Sequence, residues 1–127
     1  MLTHYNLVSN MCQMEQMNLF DSEDNLICVL PLFHIYGLMV ILNLGLYKGA
    51  TIITLPRFDL EQLLKLMQDY KVTFAHLVPP ILLALTKHPA VDAYDLSHLR
   101  TIFSGAAPLG EAVTTTCIER LSCDVRQ

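Results

Sequence analysis

The feature that most constrains this chain is a repeated exchange between short, continuous apolar runs and amphipathic stretches, from one end to the other. Residues 26–30, 50–55, 72–78, 100–103 and 124–126 read as five strands. Several are apolar without a break, as in Ala50–Leu55, and do not alternate with polar residues. A strand of that kind is covered on both faces. Between the strands lie helical stretches. Thr3 suits the N-cap of a helix over 4–17, with Leu7, Val8, Met11 and Met14 on one face. Asp59 and Gln62 make a capping-box-like pair ahead of Leu60, Leu63, Leu64 and Met67. Residues 37–47 form an almost wholly apolar helix. Pro79 and Pro80 open another, to about Lys87, and 110–121 supply the last, with Val113, Cys117 and Leu121 inward. Strand–helix alternation with buried strands implies an α/β fold, a mostly parallel sheet with helices on both faces, in one subdomain over residues 1–127. In such sheets ligands bind beyond the carboxyl ends of the strands.

Composition closes off other classes. The chain is 53% hydrophobic and 16% charged, with a mean hydropathy of +0.41. That balance excludes disorder and suggests surfaces covered by neighbours, here the remainder of a larger parent protein. Alone, such a chain is expected to aggregate or pair. Net charge is −4, and the eight Lys and Arg are scattered, so no basic face for nucleic acid exists. The four cysteines form no CxxC pair and fit a reducing, intracellular setting. Residues 25–47 carry no Asp, Glu, Lys or Arg, long enough to suggest a membrane span. Pro31, His34, Gly37 and Asn43 instead divide them into strand, turn and helix, and no basic signal-peptide region follows Met1.

Three strand-to-helix turns carry chemistry-bearing residues. Leu30-Pro31-Leu32-Phe33-His34-Ile35-Tyr36-Gly37 places an imidazole and a phenol two residues apart. His34 can donate to a carboxylate or phosphate oxygen, or satisfy a backbone carbonyl; Tyr36 can wall a pocket or pack in the core. Phe103-Ser104-Gly105-Ala106-Ala107-Pro108-Leu109-Gly110 lets a flat ligand approach the backbone, or is a plain tight connection. It is neither a GxxxxGK(S/T) phosphate loop nor GxGxxG, and it lacks the nucleophile elbow of a hydrolase. Pro56-Arg57-Phe58 offers an Arg for a phosphate at a pocket mouth, or a solvated one. His4, His76, His88 and His98 show no ligand spacing, so no metal site is expected from them.

In this order the stretches resemble the adenylate-forming, AMP-binding enzymes: 4-coumarate–CoA ligases, firefly luciferases and related acyl-CoA synthetases. Met1–Leu7 is similar to the helix behind that family's phosphate loop, and Leu30–Tyr36 to its PxFHxY stretch. Gln68–Val72 followed by Val78-Pro79-Pro80 recurs there, Ser104–Gly110 is like its SGAAPLG loop, and Arg126-Gln127 stands where GYGMTE begins.

The resemblance implies a carboxylate–CoA ligase that uses Mg2+-ATP to make an acyl-AMP and then passes the acyl group to CoA. It implies that His34 contacts carboxylate and α-phosphate oxygens as charge develops. Tyr36, Met39, Val40, Leu77, Phe103 and Gly105 would then line the acid pocket. Ala106, Ala107, Pro108 and Gln127 would lie at the nucleotide, and Arg57 at the CoA phosphates. Within the family, plant coumarate ligases often have Lys at the position of Phe103 and Asn at that of Met39. The apolar residues here favour a fatty or simple aryl acid at least as much as a hydroxycinnamate. The phosphate loop and the C-terminal domain are expected outside residues 1–127, and the chain alone is expected to be inactive. The alternatives are a luciferase-like oxygenase using the same adenylate and a non-catalytic interaction module. The family's setting is cytoplasmic or peroxisomal.

Overall fold

Five parallel strands carry the chain in its computed structural model, which describes residues 1–127. They are β1 (Asn25–Cys28), β2 (Thr51–Thr54), β3 (Phe74–Leu77), β4 (Thr101–Ser104) and β5 (Asp124–Arg126), in the spatial order β2-β1-β3-β4-β5. The helices are α1 (His4–Glu15), a π-helical segment (Tyr36–Asn43) running into α2 (Leu44–Lys48), α3 (Leu60–Asp69), α4 (Pro79–Lys87) and α5 (Glu111–Leu121). A 3-10 turn, Pro89–Ala93, follows α4. The α/β reading therefore holds, with every strand pair parallel.

Parity along the strands sends side chains to opposite faces. Ile27, Ala75, Leu77 and Ile102 join Leu63, Leu64, Met67, Ile81, Leu82, Leu85, Cys117 and Leu121 in the main core, beneath α3, α4 and α5. At about 1.5–3 kcal/mol for each fully buried aliphatic side chain, this cluster dominates the folding energy. Leu26 and Phe74 face the other way and form a small cluster with Phe20, Leu44 and Ala50. α1 closes that side only partly. Met11 and Met14 pack against the cluster, but no α1 residue is fully buried and Val8 stays exposed.

Local signals act as expected at the helix starts. The Thr3 hydroxyl accepts from Asn6 N–H while the Asn6 side chain accepts from Thr3 N–H, a full capping box. Asp59 accepts from Gln62 N–H at 2.8 Å, without the return bond. The helix expected over 37–47 is the main departure. It starts at Tyr36 and is π-wound through Asn43, with bonds from i to i+5, and only its last turn is α-helical. Asn43 Nδ2 donates to the Leu38 carbonyl at 2.6 Å, satisfying an acceptor within the wider winding. No helix of the chain is long and apolar enough to cross a membrane.

Candidate functional site

The strand order reverses between β1 and β3: the chain leaves β1 for β2 on one side, then returns to place β3 on the other. Such a switch point leaves a crevice beyond the strand ends, because the connections depart in opposite directions. A cavity of about 260 Å³ lies there, lined by Leu30, Pro31, His34, Tyr36, Val78 and Ala106. These residues follow β1, β3 and β4 in the chain. Two of the three turns singled out by sequence therefore meet, with His34, Tyr36 and Ala106 on one cavity, while Pro56-Arg57-Phe58 does not reach it.

His34 is held by its own turn. Its N–H donates to the Pro31 carbonyl at 3.0 Å, and its Nδ1 accepts from the Tyr36 N–H at 3.2 Å. With Nδ1 an acceptor, the neutral ring carries its proton on Nε2, which has no partner within the chain. The exposed His34 side chain is thus a donor waiting for an acceptor. The π-helical start packs tightly behind it. A Cβ on Gly37 would fall 2.4 Å from the Pro31 carbonyl oxygen, so only glycine lets the segment pass beneath the turn.

Tyr36 is wedged. A Cβ on Gly105 would lie 2.7 Å from its ring, so the bare glycine backbone is what accommodates the phenol. The Tyr36 hydroxyl and His76 Nδ1 share a hydrogen bond of 3.0 Å. Burial pushes the Tyr36 phenol up to about 12 and His76 down to about 4. Both are neutral near pH 7. His76 is fully buried, ringed by Phe20, Phe74, Phe103 and Tyr36 at centroid distances of 4.9–5.9 Å, and its Nε2 has no partner. Sequence reasoning passed over His76 because it sought ligand spacing. The usable signal was a lone imidazole inside a strand of otherwise apolar residues.

The 104–110 turn is strained at Ala106, whose φ of +69° puts an alanine in the left-handed region. Gln127 clasps this turn. Its Oε1 accepts from Leu109 N–H at 2.9 Å and its Nε2 donates to the Leu109 carbonyl at 3.3 Å. Its amide is thereby committed to the loop backbone. Ala107 and Pro108 are exposed on the same turn but do not line the cavity.

The other expected residues lie elsewhere. Leu77 is fully buried in the main core, on the face opposite Tyr36, His76 and Phe103, which corrects its placement in the pocket wall. The cause is parity: His76, not Leu77, faces Tyr36. Met39 is buried within the π-helical segment, against Asn43, and Val40 is half-buried; neither lines the cavity. Phe103 packs on the small cluster and against His76, one layer behind Tyr36. Arg57 borders an adjoining, larger concavity of about 580 Å³ between the turns after β1 and β2, with Phe33 and Phe58, which shares Leu30 and Pro31 with the first. It forms no ion pair, so its charge is free for an anion. No three His, Cys, Asp or Glu side chains converge to hold a metal.

A crevice at a parallel-sheet switch point, edged by an imidazole donor and a small-residue turn, is the usual ligand-binding place of α/β enzymes. The chain is a member of one such family: the model described as "AMP-binding enzyme" matches residues 1–127. It is 52% identical over 115 residues to 4-coumarate–CoA ligase 1 of Petroselinum crispum, an alignment covering 87% of this chain and 21% of that protein. The chain thus spans about a fifth of the curated relatives it matches. Among solved structures, the N-terminal domain of FACL13 from Mycobacterium tuberculosis superposes with a TM-score of 0.88 at 25% identity, over 98% of this chain and 31% of that one. ATP-bound MatB from Rhodopseudomonas palustris gives 0.85 at 31% identity, over 98% and 24%.

Proposed function

We propose that this chain supplies the acid pocket and the adenine-side turn of a larger carboxylate–CoA ligase. The carrying observation is His34: its Nδ1 is occupied by the Tyr36 N–H, so its Nε2 proton faces no internal acceptor beside an apolar cavity. In the proposed reaction a carboxylate oxygen attacks the α-phosphorus of ATP, and the bond to pyrophosphate breaks. CoA thiolate then attacks the acyl carbon, and AMP leaves. His34 Nε2–H would stabilise the oxygens on which charge builds in the first step. Ala106, Ala107 and Pro108 would lie along the nucleotide, with Gln127 fixing their turn. Arg57 would pair with a CoA phosphate at the mouth of its concavity.

The acid is an unhydroxylated aryl or fatty acid. The cavity is lined by Leu30, Pro31, Val78 and Ala106 around the two aromatic groups, and Phe103 stands behind it. Its volume of about 260 Å³ exceeds the roughly 150 Å³ that accommodates a benzene ring in an apolar cavity. The test is AMP release by the full-length enzyme, with CoA present, across benzoate, cinnamate, 4-coumarate and C6–C12 fatty acids. Preference for 4-coumarate over medium-chain acids would refute the apolar-pocket reading. ATP–pyrophosphate exchange by the 127-residue chain alone would refute its role as a part.

A further inference from the structure

The inner boundary of the cavity rests on a residue outside the expected site. Tyr36 separates the cavity from the aromatic cluster on the α1 side of the sheet, and three contacts hold its ring. Gly105 lies flush against one part of it, His76 Nδ1 bonds its hydroxyl at 3.0 Å, and the His76 ring meets it edge-on at 5.6 Å. His76 itself has no freedom to yield. It sits on β3 in register with Phe103 of β4 and is enclosed by Phe20, Phe74 and Phe103. A buried imidazole with an unpartnered Nε2 is costly in an apolar core, where a leucine would pack without loss. The one polar contact this imidazole makes is with Tyr36.

We infer that His76 is a positioning residue that pins Tyr36 as the end wall of the acid pocket, and so limits the length of acid the enzyme accepts. The inference rests on the acid-activating function proposed above. With the pin in place the pocket ends at the phenol and suits a single ring or a short chain. Without it, the Tyr36 ring can turn and open the pocket towards the small cluster of Phe20, Phe74 and Phe103.

The experiment compares wild-type full-length enzyme with His76→Ala, His76→Asn and Tyr36→Phe, using ATP–pyrophosphate exchange driven by cinnamate, hexanoate, octanoate and dodecanoate. His76→Ala removes pin and volume. Tyr36→Phe removes only the pin, and its fold is the safer of the two. Both should shift the ratio of kcat/KM for dodecanoate over cinnamate upward, by about fivefold for the lost hydrogen bond alone. The shift should appear in KM more than in kcat. His76→Asn, whose amide reaches near the Nδ1 position, should restore most of the wild-type preference. An unchanged ratio in Tyr36→Phe overturns the inference, as does equal loss on all four acids in every variant, which would mark His76 as structural only. If wild-type enzyme activates none of the acids, the proposed function has failed instead.

Discussion

The two ends of the sheet treat buried polar groups in opposite ways. At the N-terminal end, Asp24, Thr73 and Arg100 each stand directly before one of β1, β3 and β4. The buried Asp24 carboxylate accepts from the Thr73 hydroxyl, the Arg100 guanidinium and the Asp21 N–H, and Thr73 Oγ1 in turn accepts from Asn25 N–H at 3.0 Å. Towards the C-terminal end lie His76 Nε2 and Ser104 Oγ, the two buried side-chain polar atoms without a partner, and beyond β4 the left-handed Ala106. A satisfied network ties three strands into register, while the unpartnered atoms lie towards the end where a ligand would bind; left-handed backbone occurs at both ends, since Asn18, Lys71 and Ser122 precede β1, β3 and β5. The contrast suggests that one end is built for stability and the other for function.

The largest expected effect would break that contrast if it fell on the wrong property. His34→Ala in the full-length enzyme should lower adenylate formation about 10²–10³-fold, as loss of one transition-state donor does. It should leave stability nearly unchanged, because the side chain is exposed. Pyrophosphate exchange reads the first quantity and a urea midpoint the second. A stability loss with activity retained would make the C-terminal end structural as well.

A smaller effect separates the two ends by pH. His76 is pushed by burial to about 4, against 6.5 in an open chain. The unfolded chain therefore binds a proton that the folded one refuses, and stability falls as pH drops through that window, by on the order of 3 kcal/mol. For Asp24, burial raises the pKa, but the bonds from Thr73, the Asp21 N–H and Arg100 outweigh it and hold the carboxyl below its usual 3.8. Its stabilisation is present above that value and lost only as pH falls below it. Hydrogen exchange of the β3 amides against pH should thus show two steps. His76→Asn should remove the upper one and Asp24→Asn the lower. A single step surviving both substitutions would show that neither group governs its end of the sheet.

Much of this arrangement was legible before the structure. Unbroken apolar runs marked the strands, although β2, at the sheet edge, is covered only in part, with Thr51 and Thr54 exposed; Thr3, Asp59 and Pro79 marked helix starts. The same continuity hid the site. When all four residues of β3 are buried, the period-2 signal vanishes, and nothing in Phe74-Ala75-His76-Leu77 tells which pair faces Tyr36. For that reason the sequence does not distinguish Leu77, expected in the pocket wall, from His76, the residue that meets Tyr36. The π-winding of Tyr36–Asn43 was hidden similarly, because a uniformly apolar helix carries no period to measure. The expected residues that do line the cavity, His34, Tyr36 and Ala106, lie on turns or at a helix start, where residue identity rather than period carries the signal.

The smallest effect sharpens the contrast most finely, because it concerns strain alone. Ala106 holds φ at +69°, and an L-residue there is disfavoured by roughly 1–2 kcal/mol. Glycine removes that penalty but adds freedom to the unfolded chain, which takes back about 0.4–1 kcal/mol. Ala106→Gly should therefore stabilise by about 0–1.6 kcal/mol, seen as a small rise in urea midpoint. If the strained turn is preorganised for a nucleotide, the same change should weaken adenylation modestly, raising KM for ATP with kcat nearly constant. Gain of stability with loss of affinity is the signature of a turn held in an unfavourable shape for binding. Gain of stability with affinity intact would mean that Ala106 is simply where β4 meets α5, and that the function of this end rests on His34 and Tyr36.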